Sequence, residues 1–425
     1  MHKISLAMAS MILLYLSSFL TGGLAFVTNV IMARELGPED YGFFIAILAV
    51  ITLVSSFATA GVPHFWLRVF GQEGRQAIRW VKSTLYLVSV SIFVISMVLV
   101  AWAYWGPHSL IFQNLIIWLF FPVLAGQVLF ELVVAKLQLE EKYGALSLWQ
   151  LLLNSLRFLW VSVYFSILTD EYDLINLSIG VSLCSIVLVI FGVFSLKEIL
   201  QGKLKLKGHS QSNSYKLLRK PTIKNVIEES YPFALAGFLY VVYYQSDIIL
   251  LKYLDSAESA GIYNVSFIIL GAVYLFPAIF YQRFLLPKLH RWAVHDKAKF
   301  ISVYQAGNRI MLLAGLGVMG IIFLVVPAII PVIFGDAYIS VIPLIMILAL
   351  CIPCRFLSSS IESVFVEPGN MKRKVKCMGV TALLNVILNI IVIPIWGNIG
   401  AAATTFISEL VLVILFYLTA RKHVY

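Results

Sequence analysis

The sequence predicts an all-α integral membrane protein: about twelve transmembrane helices in two parallel six-helix halves around a central cavity. Three observations support this prediction: the composition, the number of long apolar runs and the distribution of basic residues. Of the 425 residues, 61% are hydrophobic and 12% are charged. A soluble domain carries about 45–50% apolar and about 25% charged residues. A chain this apolar needs lipid as its solvent.

Twelve apolar runs are long enough to cross a bilayer, which takes roughly 20 consecutive, mostly apolar residues. The opening run follows Lys3 like the core of a signal peptide, but it continues to Ala33, so we interpret it as the first membrane helix. The runs cover residues 9–32, 43–65, 81–104, 110–135, 145–168, 174–196, 230–251, 262–286, 302–333, 338–366, 375–396 and 398–420.

Basic residues alternate between the loops. Only Arg34 and Lys252 fall in loops on one side, whereas most of the 31 lysines and arginines fall in segments on the other. The basic side of a membrane protein faces the cytoplasm. This distribution predicts both termini in the cytoplasm of a multi-pass protein of the inner or plasma membrane. The net charge of +10 is then an orientation signal, so we expect no nucleic-acid partner.

The four cysteines, Cys184, Cys351, Cys354 and Cys377, lie in or beside apolar runs. They form no visible disulfide framework. The "CIPC" at 351–354 has redox spacing, but its apolar surroundings favour plain packing. We expect no metal site and no catalytic residue.

The chain divides into an N-terminal six-helix half at 1–196, a basic cytoplasmic linker at 197–229 and a C-terminal half at 230–425. Six spans in each half make the halves parallel, as in transporters built from parallel repeats. The polar turn "ARELGPEDYGFF" at 33–44 follows the first span. A similar layout, "LKYLDSAESAGIYN" at 251–264, opens the second half.

Charged residues at membrane depth are costly, about 2.5–3.5 kcal/mol each at the bilayer centre, so they should face an interior or a watery cavity. Arg157 and Arg355 fall near mid-span, and we expect them to line a shared central cavity. The alternative is buried ion pairs that fasten helices together, for example Glu131 with Arg157. The full set at membrane depth is Glu131, Arg157, Asp247, Arg283, Arg309, Arg355, Glu362 and Glu409.

Three stretches carry a family resemblance. "ARELGPEDYG" resembles the corresponding turn of the polysaccharide flippases, the Wzx-like branch of the multidrug/oligosaccharidyl-lipid/polysaccharide exporters. The basic turn "EPGNMKRK" and the tail "NVILNIIVIPIWGNIGAAATTFISELV" at 385–411 resemble the end of the same family. The residues that match its pattern in the tail are Asn385, Asn389, Pro394, Gly400, Ala401, Ala402 and Glu409.

The resemblance implies a flippase that moves a lipid-diphosphate-linked oligosaccharide to the outer leaflet for O-antigen, capsule or exopolysaccharide assembly, by alternating access. Its expected partners are an undecaprenyl-diphosphate-type glycolipid, membrane lipids and polysaccharide biosynthesis proteins. Because arginine binds phosphate oxygens bidentately, the predicted substrate-binding residues are Arg157, Arg283, Arg309 and Arg355.

The remaining polar residues have other predicted roles. Coupling or ion-pair candidates are Asp247, Glu131, Glu362 and Glu409, with H⁺ or Na⁺ as the coupling ion and no other cofactor. Possible sugar contacts are Tyr240, Tyr243 and Tyr244, since Tyr240 and either of the other two share a helix face with Asp247.

Two other functions compete with this one. A membrane polymerase or ligase would act on the same glycolipids, but the sequence contains no P-loop, GxSxG, HExxH or DxD motif and its outer loops are short. A multidrug exporter of the same superfamily needs a cavity suited to small cations, whereas the residues at membrane depth here include four arginines. We therefore predict a transporter and no enzymatic activity.

Overall fold

The structure is a computed structural model. It describes residues 2–106, 108–168, 173–206, 220–278, 297–363, 365 and 368–423. Within these ranges every element is helical. The helices are α1 His2–Ala58, α2 Val62–Glu73, α3 Ile78–Trp105, α4 Leu110–Leu139, α5 Tyr143–Val163, α6 Leu174–Leu200, α7 Ile223–Leu254, α8 Ala257–Ala278, α9 Lys297–Phe334, α10 Val341–Ala349, α11 Cys351–Glu362 and α12 Pro368–His423.

The described residues contain nine apolar helical stretches long enough to cross a membrane. The first, Leu16–Trp105, covers three predicted spans, and the last, Lys372–Lys422, covers two. The nine stretches therefore accommodate all twelve predicted spans. The all-α, multi-pass membrane fold is confirmed.

Helices α1 and α12 each consist of two membrane spans joined at one glycine. Gly37 in α1 has φ 75° and ψ 172°, and Gly397 in α12 has φ 54° and ψ −137°. Side chains with a Cβ rarely adopt such positive φ values. Pro38 directly follows Gly37 and suits the first turn of the second span, where its missing N–H is not needed. The predicted turn at Gly37-Pro38 is thus present as a sharp break between two helical segments.

Two predicted spans differ from the observed helices. The second was expected to reach residue 65, but α1 ends at Ala58 because Ala60 and Gly61 have positive φ. The separate short helix α2 follows. The tenth was expected as one helix over 338–366, but it is divided into α10 and α11 around Leu350. Pro353 lacks the N–H that a continuous helix would need at that point.

The chain forms two compact units. Unit 1 contains residues 1–31 and 47–241, and unit 2 contains residues 32–46 and 242–425. The predicted boundaries at 196 and 230 concern repeats of six spans, and that division stays a prediction. The segment 207–219 of the predicted linker lies outside the described residues.

Close helix contacts at small residues hold unit 1 together. A Cβ on Gly126 of α4 would lie 3.2 Å from Ser185 of α6, and a Cβ on Gly192 would lie 3.1 Å from Leu129. Trp160 of α5 packs over Gly180 of α6. The first two contacts fix α4 against α6, and the third fixes α5, the helix that carries Arg157, against α6.

Unit 2 brings the two similar turns, at 33–44 and 251–264, into direct contact. A Cβ on Gly42 would lie 1.8 Å from the carbonyl oxygen of Ala257, and a Cβ on Gly261 would lie 2.2 Å from the carbonyl oxygen of Pro38. The contact is reciprocal, because Pro38 precedes Gly42 by the same number of residues as Ala257 precedes Gly261. Nearby, Asn264 donates a hydrogen bond from Nδ2 to the Tyr41 hydroxyl at 2.7 Å.

Candidate functional site

Unit 2 contains a buried polar cluster around Asp247 of α7, whose side chain is 2% exposed. Its Oδ2 accepts hydrogen bonds from the hydroxyls of Tyr263 (2.6 Å) and Thr405 (2.8 Å). Its Oδ1 accepts one from Nδ2 of Asn389 (2.6 Å). These partners come from α8 and from both spans of α12. One carboxylate therefore connects three helices.

The Asn389 amide is held by further hydrogen bonds. Its Nδ2 also donates to Oδ1 of Asn385 at 3.2 Å, and its Oδ1 accepts from Thr404. Ser246 donates to Oδ1 of Asn385 at 3.3 Å. Among the described residues no lysine or arginine pairs with Asp247. The cluster satisfies the hydrogen-bonding capacity of the carboxylate with neutral donors, and it leaves any negative charge there uncompensated.

Arg355 of α11 lies beside this cluster. Its Nη1 is 3.7 Å from Oε1 of Glu409, on the second span of α12. The guanidinium carbon lies 5.1 Å from the ring centroid of Tyr244 and 5.9 Å from that of Tyr274, which are cation–π distances. The Arg355 side chain is 19% exposed and the Glu409 side chain 5%. Four helices of unit 2 thus meet at one guanidinium.

A small cavity of about 10 Å³ lies between the two carboxylates. Its lining includes Asp247, Glu409, Tyr243, Tyr244 and Tyr274. This volume is close to the minimum that holds one water molecule. In this conformation the cavity suits a proton carrier or a small ion and has no space for a sugar.

Unit 1 contains Arg157, near the middle of the apolar stretch Tyr143–Ile167. Its Nε and Nη2 are buried and have no hydrogen-bond partner among the described residues. Glu131 is exposed on α4 and forms no ion pair with Arg157 in the described part of the chain. The general alternative of buried ion pairs that fasten helices together stays open, since Arg355 and Glu409 form such a pair. The prediction that Arg157 and Arg355 line one cavity stays a prediction.

The other predicted residues are dispersed. Glu362 forms an ion pair with Lys374. Arg309 is exposed on α9, and Arg283 lies outside the described residues. Tyr240 is 48% exposed, whereas Tyr243 is 8% exposed and belongs to a hydrophobic cluster with Phe300 and Phe416.

The sequence interpretation missed several members of the Asp247 cluster. Asn385 and Asn389 were noted only for the family pattern, although their i, i+4 spacing on an apolar helix places both amides on one face. Tyr263 and Thr405 carry no such signal, because single tyrosines and threonines are common in apolar helices.

Fold and buried polar residues together define a multi-pass α-helical membrane protein. A family model described as "Polysaccharide biosynthesis protein" matches residues 7–292, which is more than half of the chain. The chain therefore belongs to this family, and the resemblance noted in the sequence is confirmed. The matched residues include the turn "ARELGPEDYG".

One relative and two solved structures are similar to this chain over nearly its whole length. An uncharacterized membrane protein of Methanocaldococcus jannaschii is 24% identical over 418 residues, covering 94% of each chain. The lipid II flippase MurJ, in an inward closed conformation, matches with a TM-score of 0.73 and 17% identity over 96% of this chain and 87% of that one. An inward-facing multidrug resistance MATE family transporter of the MOP superfamily matches with a TM-score of 0.71 and 13% identity, over 95% and 94%. The solved structures share the fold.

Proposed function

We propose that this protein is a flippase that moves a lipid-diphosphate-linked oligosaccharide from the cytoplasmic to the outer leaflet of the inner or plasma membrane. Membership of the polysaccharide biosynthesis family supports a glycan-related role. The shared fold with a flippase of lipid II supports a lipid-linked substrate. An undecaprenyl-diphosphate-type carrier fits this class, and surface polysaccharide, such as O-antigen or capsule, is the proposed product.

The observation that carries the proposal is the buried guanidinium of Arg157. A charge at the bilayer centre costs about 2.5–3.5 kcal/mol, and each buried donor without a partner costs about 1–3 kcal/mol more. Nε and Nη2 of Arg157 both lack a partner among the described residues. A diphosphate would relieve this cost, because its oxygens accept the paired donors of a guanidinium.

The remaining arginines fit a path for the same anion. The headgroup must cross a hydrocarbon layer roughly 30 Å thick. Arg309 is exposed toward the predicted cytoplasmic end of α9. Together with Arg283 it would receive the headgroup, while Arg157 and Arg355 would hold it midway. The lipid tail stays in the bilayer, and alternating access exposes the headgroup to the outer side.

Asp247 is the proposed coupling residue. Its carboxylate has three neutral hydrogen-bond donors and no cationic partner among the described residues. Burying an uncompensated carboxylate is costly, so binding of a proton or a small cation such as Na⁺ would stabilise the cluster. Binding and release of that ion would then couple an ion gradient to flipping.

The proposal is tested in cells that carry the protein, by replacing Arg157 with Gln. Surface polysaccharide should fall by about tenfold or more at unchanged protein level, since loss of about 1.4 kcal/mol of binding is a factor of ten. Lys372→Gln is the matched control, because Lys372 is an exposed cation, and it should leave polysaccharide unchanged. Normal polysaccharide in the Arg157 variant would refute the mechanism.

A multidrug exporter is the second candidate, favoured by the MATE transporter with nearly the same TM-score as the flippase. The same cells distinguish the two functions. Deletion of a flippase reduces surface polysaccharide and leaves sensitivity to cationic drugs unchanged. Deletion of a drug exporter raises drug sensitivity and leaves polysaccharide intact, and this second result would replace the proposed function.

A further inference from the structure

We propose that Glu409 is an internal competitor for the anion site: it occupies the guanidinium of Arg355 until the diphosphate of the substrate displaces it. The inference rests on the proposed function, because it assigns a regulatory role to a residue at the same arginine. Glu409 would thereby set the affinity for the substrate and keep the empty protein electrically balanced at this point.

The Arg355–Glu409 contact is looser than an ion pair with a fastening role in the same protein. Arg79 contacts Glu73 through two nitrogens, with Nη2–Oε1 at 2.9 Å and Nε–Oε2 at 3.3 Å, and Trp80 donates a further hydrogen bond to that carboxylate. Arg355 approaches Glu409 only to 3.7 Å, which exceeds the length of a hydrogen bond. The charges attract each other without a fixed hydrogen-bond geometry.

Glu409 is held by fewer hydrogen bonds than Asp247. Its Oε2 is buried and has no hydrogen-bond partner among the described residues. Asp247, by contrast, accepts three hydrogen bonds from neighbouring helices. Glu409 is attracted to one cation and has the Tyr243 hydroxyl as its other polar neighbour, so a competing anion can displace it from Arg355. A carboxylate held by three donors cannot move easily.

Arg355, in turn, is positioned independently of Glu409. The rings of Tyr244 and Tyr274 lie within cation–π distance of its guanidinium carbon, and stacking on aromatic faces is a typical arginine contact. Its side chain is 19% exposed, but that of Glu409 is only 5% exposed. The guanidinium is therefore the more accessible partner of the pair, so an incoming phosphate would contact it before it meets Glu409.

The test measures binding of a polyprenyl diphosphate to the purified full-length protein in lipid nanodiscs. Glu409→Gln removes the competing charge with almost no change in shape, so the diphosphate should bind about tenfold more tightly. Glu258→Gln is the matched control: it neutralises an exposed glutamate of the same unit that has no predicted role in transport. The control should bind like the wild type.

A double variant isolates the interaction. In an Arg355→Gln background, adding Glu409→Gln should bring no further tightening of diphosphate binding, because the residue for which Glu409 competes is gone.

Diphosphate binding by a folded Glu409→Gln variant that is equal to or weaker than that of the wild type would overturn the proposal. If that variant fails to fold, Glu409→Asp serves instead: it retracts the charge and should still bind more tightly. Loss of the fold in both variants would make Glu409 a structural residue and would also overturn the proposal.

The outcomes separate this inference from the proposed function. If the wild type binds no polyprenyl diphosphate, both fail. If the wild type binds it and Arg157→Gln weakens binding, but Glu409→Gln does not tighten it, only the role of Glu409 fails.

Discussion

At the scale of single residues, the structure separates two kinds of buried polar group. Asp247 accepts three hydrogen bonds and lacks a cationic partner among the described residues. Arg157 is a cation with two nitrogens that have no hydrogen-bond partner there. Burial without neutralisation is unfavourable in both cases. Such groups are the ones expected to bind something mobile, an ion in the first case and an anionic headgroup in the second.

The hydrogen bonds of Asp247 predict its contribution to stability. Asp247→Leu removes the acceptor for Tyr263, Thr405 and Asn389, so we expect a loss of about 1–3 kcal/mol in the free energy of unfolding. Asp247→Asn keeps one acceptor oxygen and should lose less. Unfolding of the purified variants in detergent measures the difference. Wild-type stability of Asp247→Leu would show that the cluster does not join the helices.

The sequence predicted which charges are interior, but not what they contact. Asp247 and Glu409 were identified from their depth in apolar runs, since depth follows from position along a helix. Their partners come from helices far away in the chain: Thr405 reaches Asp247, and Arg355 reaches Glu409. These pairings depend on helix packing, which a single sequence does not encode in any local pattern.

At the scale of elements, apolar run length predicted the helices well because a bilayer imposes a minimum length on each span. It missed α2, Val62–Glu73, which is short and amphipathic and follows two residues with positive φ. It also predicted one helix where Pro353 follows a break at Leu350. The first departure depends on positive φ at Ala60 and Gly61, and the second on the N–H that Pro353 lacks; hydropathy reports neither.

The contact between the turns at 33–44 and 251–264 predicts the effect of a glycine substitution on stability. Gly42→Ala places a Cβ 1.8 Å from the carbonyl oxygen of Ala257, so the turns must separate, and we expect about 1–3 kcal/mol of destabilisation. Gly23→Ala is the control within the same helix, since an added Cβ there meets no atom within 4 Å. It should be neutral or slightly stabilising. Thermal unfolding that is equal for the two variants would show that the glycine contact is not tight.

At the scale of the whole molecule, composition and charge distribution were sufficient for the fold class. With 61% hydrophobic residues, the chain has few alternatives to a membrane bundle. The similarity of the turns at 33–44 and 251–264 indicated an internal repeat, and the structure adds that both turns meet within unit 2. Chain order alone could not predict that residues 32–46 pack with the C-terminal part of the chain.

The central claim is that the protein moves a lipid by recognising its diphosphate. It is tested most directly in proteoliposomes that contain a fluorescent polyprenyl-diphosphate oligosaccharide, with a membrane-impermeant quencher added outside. Wild-type protein should make the inner-leaflet lipid accessible, while Arg157→Gln should match protein-free vesicles. A polyprenyl-linked oligosaccharide without phosphate should stay in its leaflet. Equal movement of the phosphate-free lipid, or full activity of Arg157→Gln, would contradict the account.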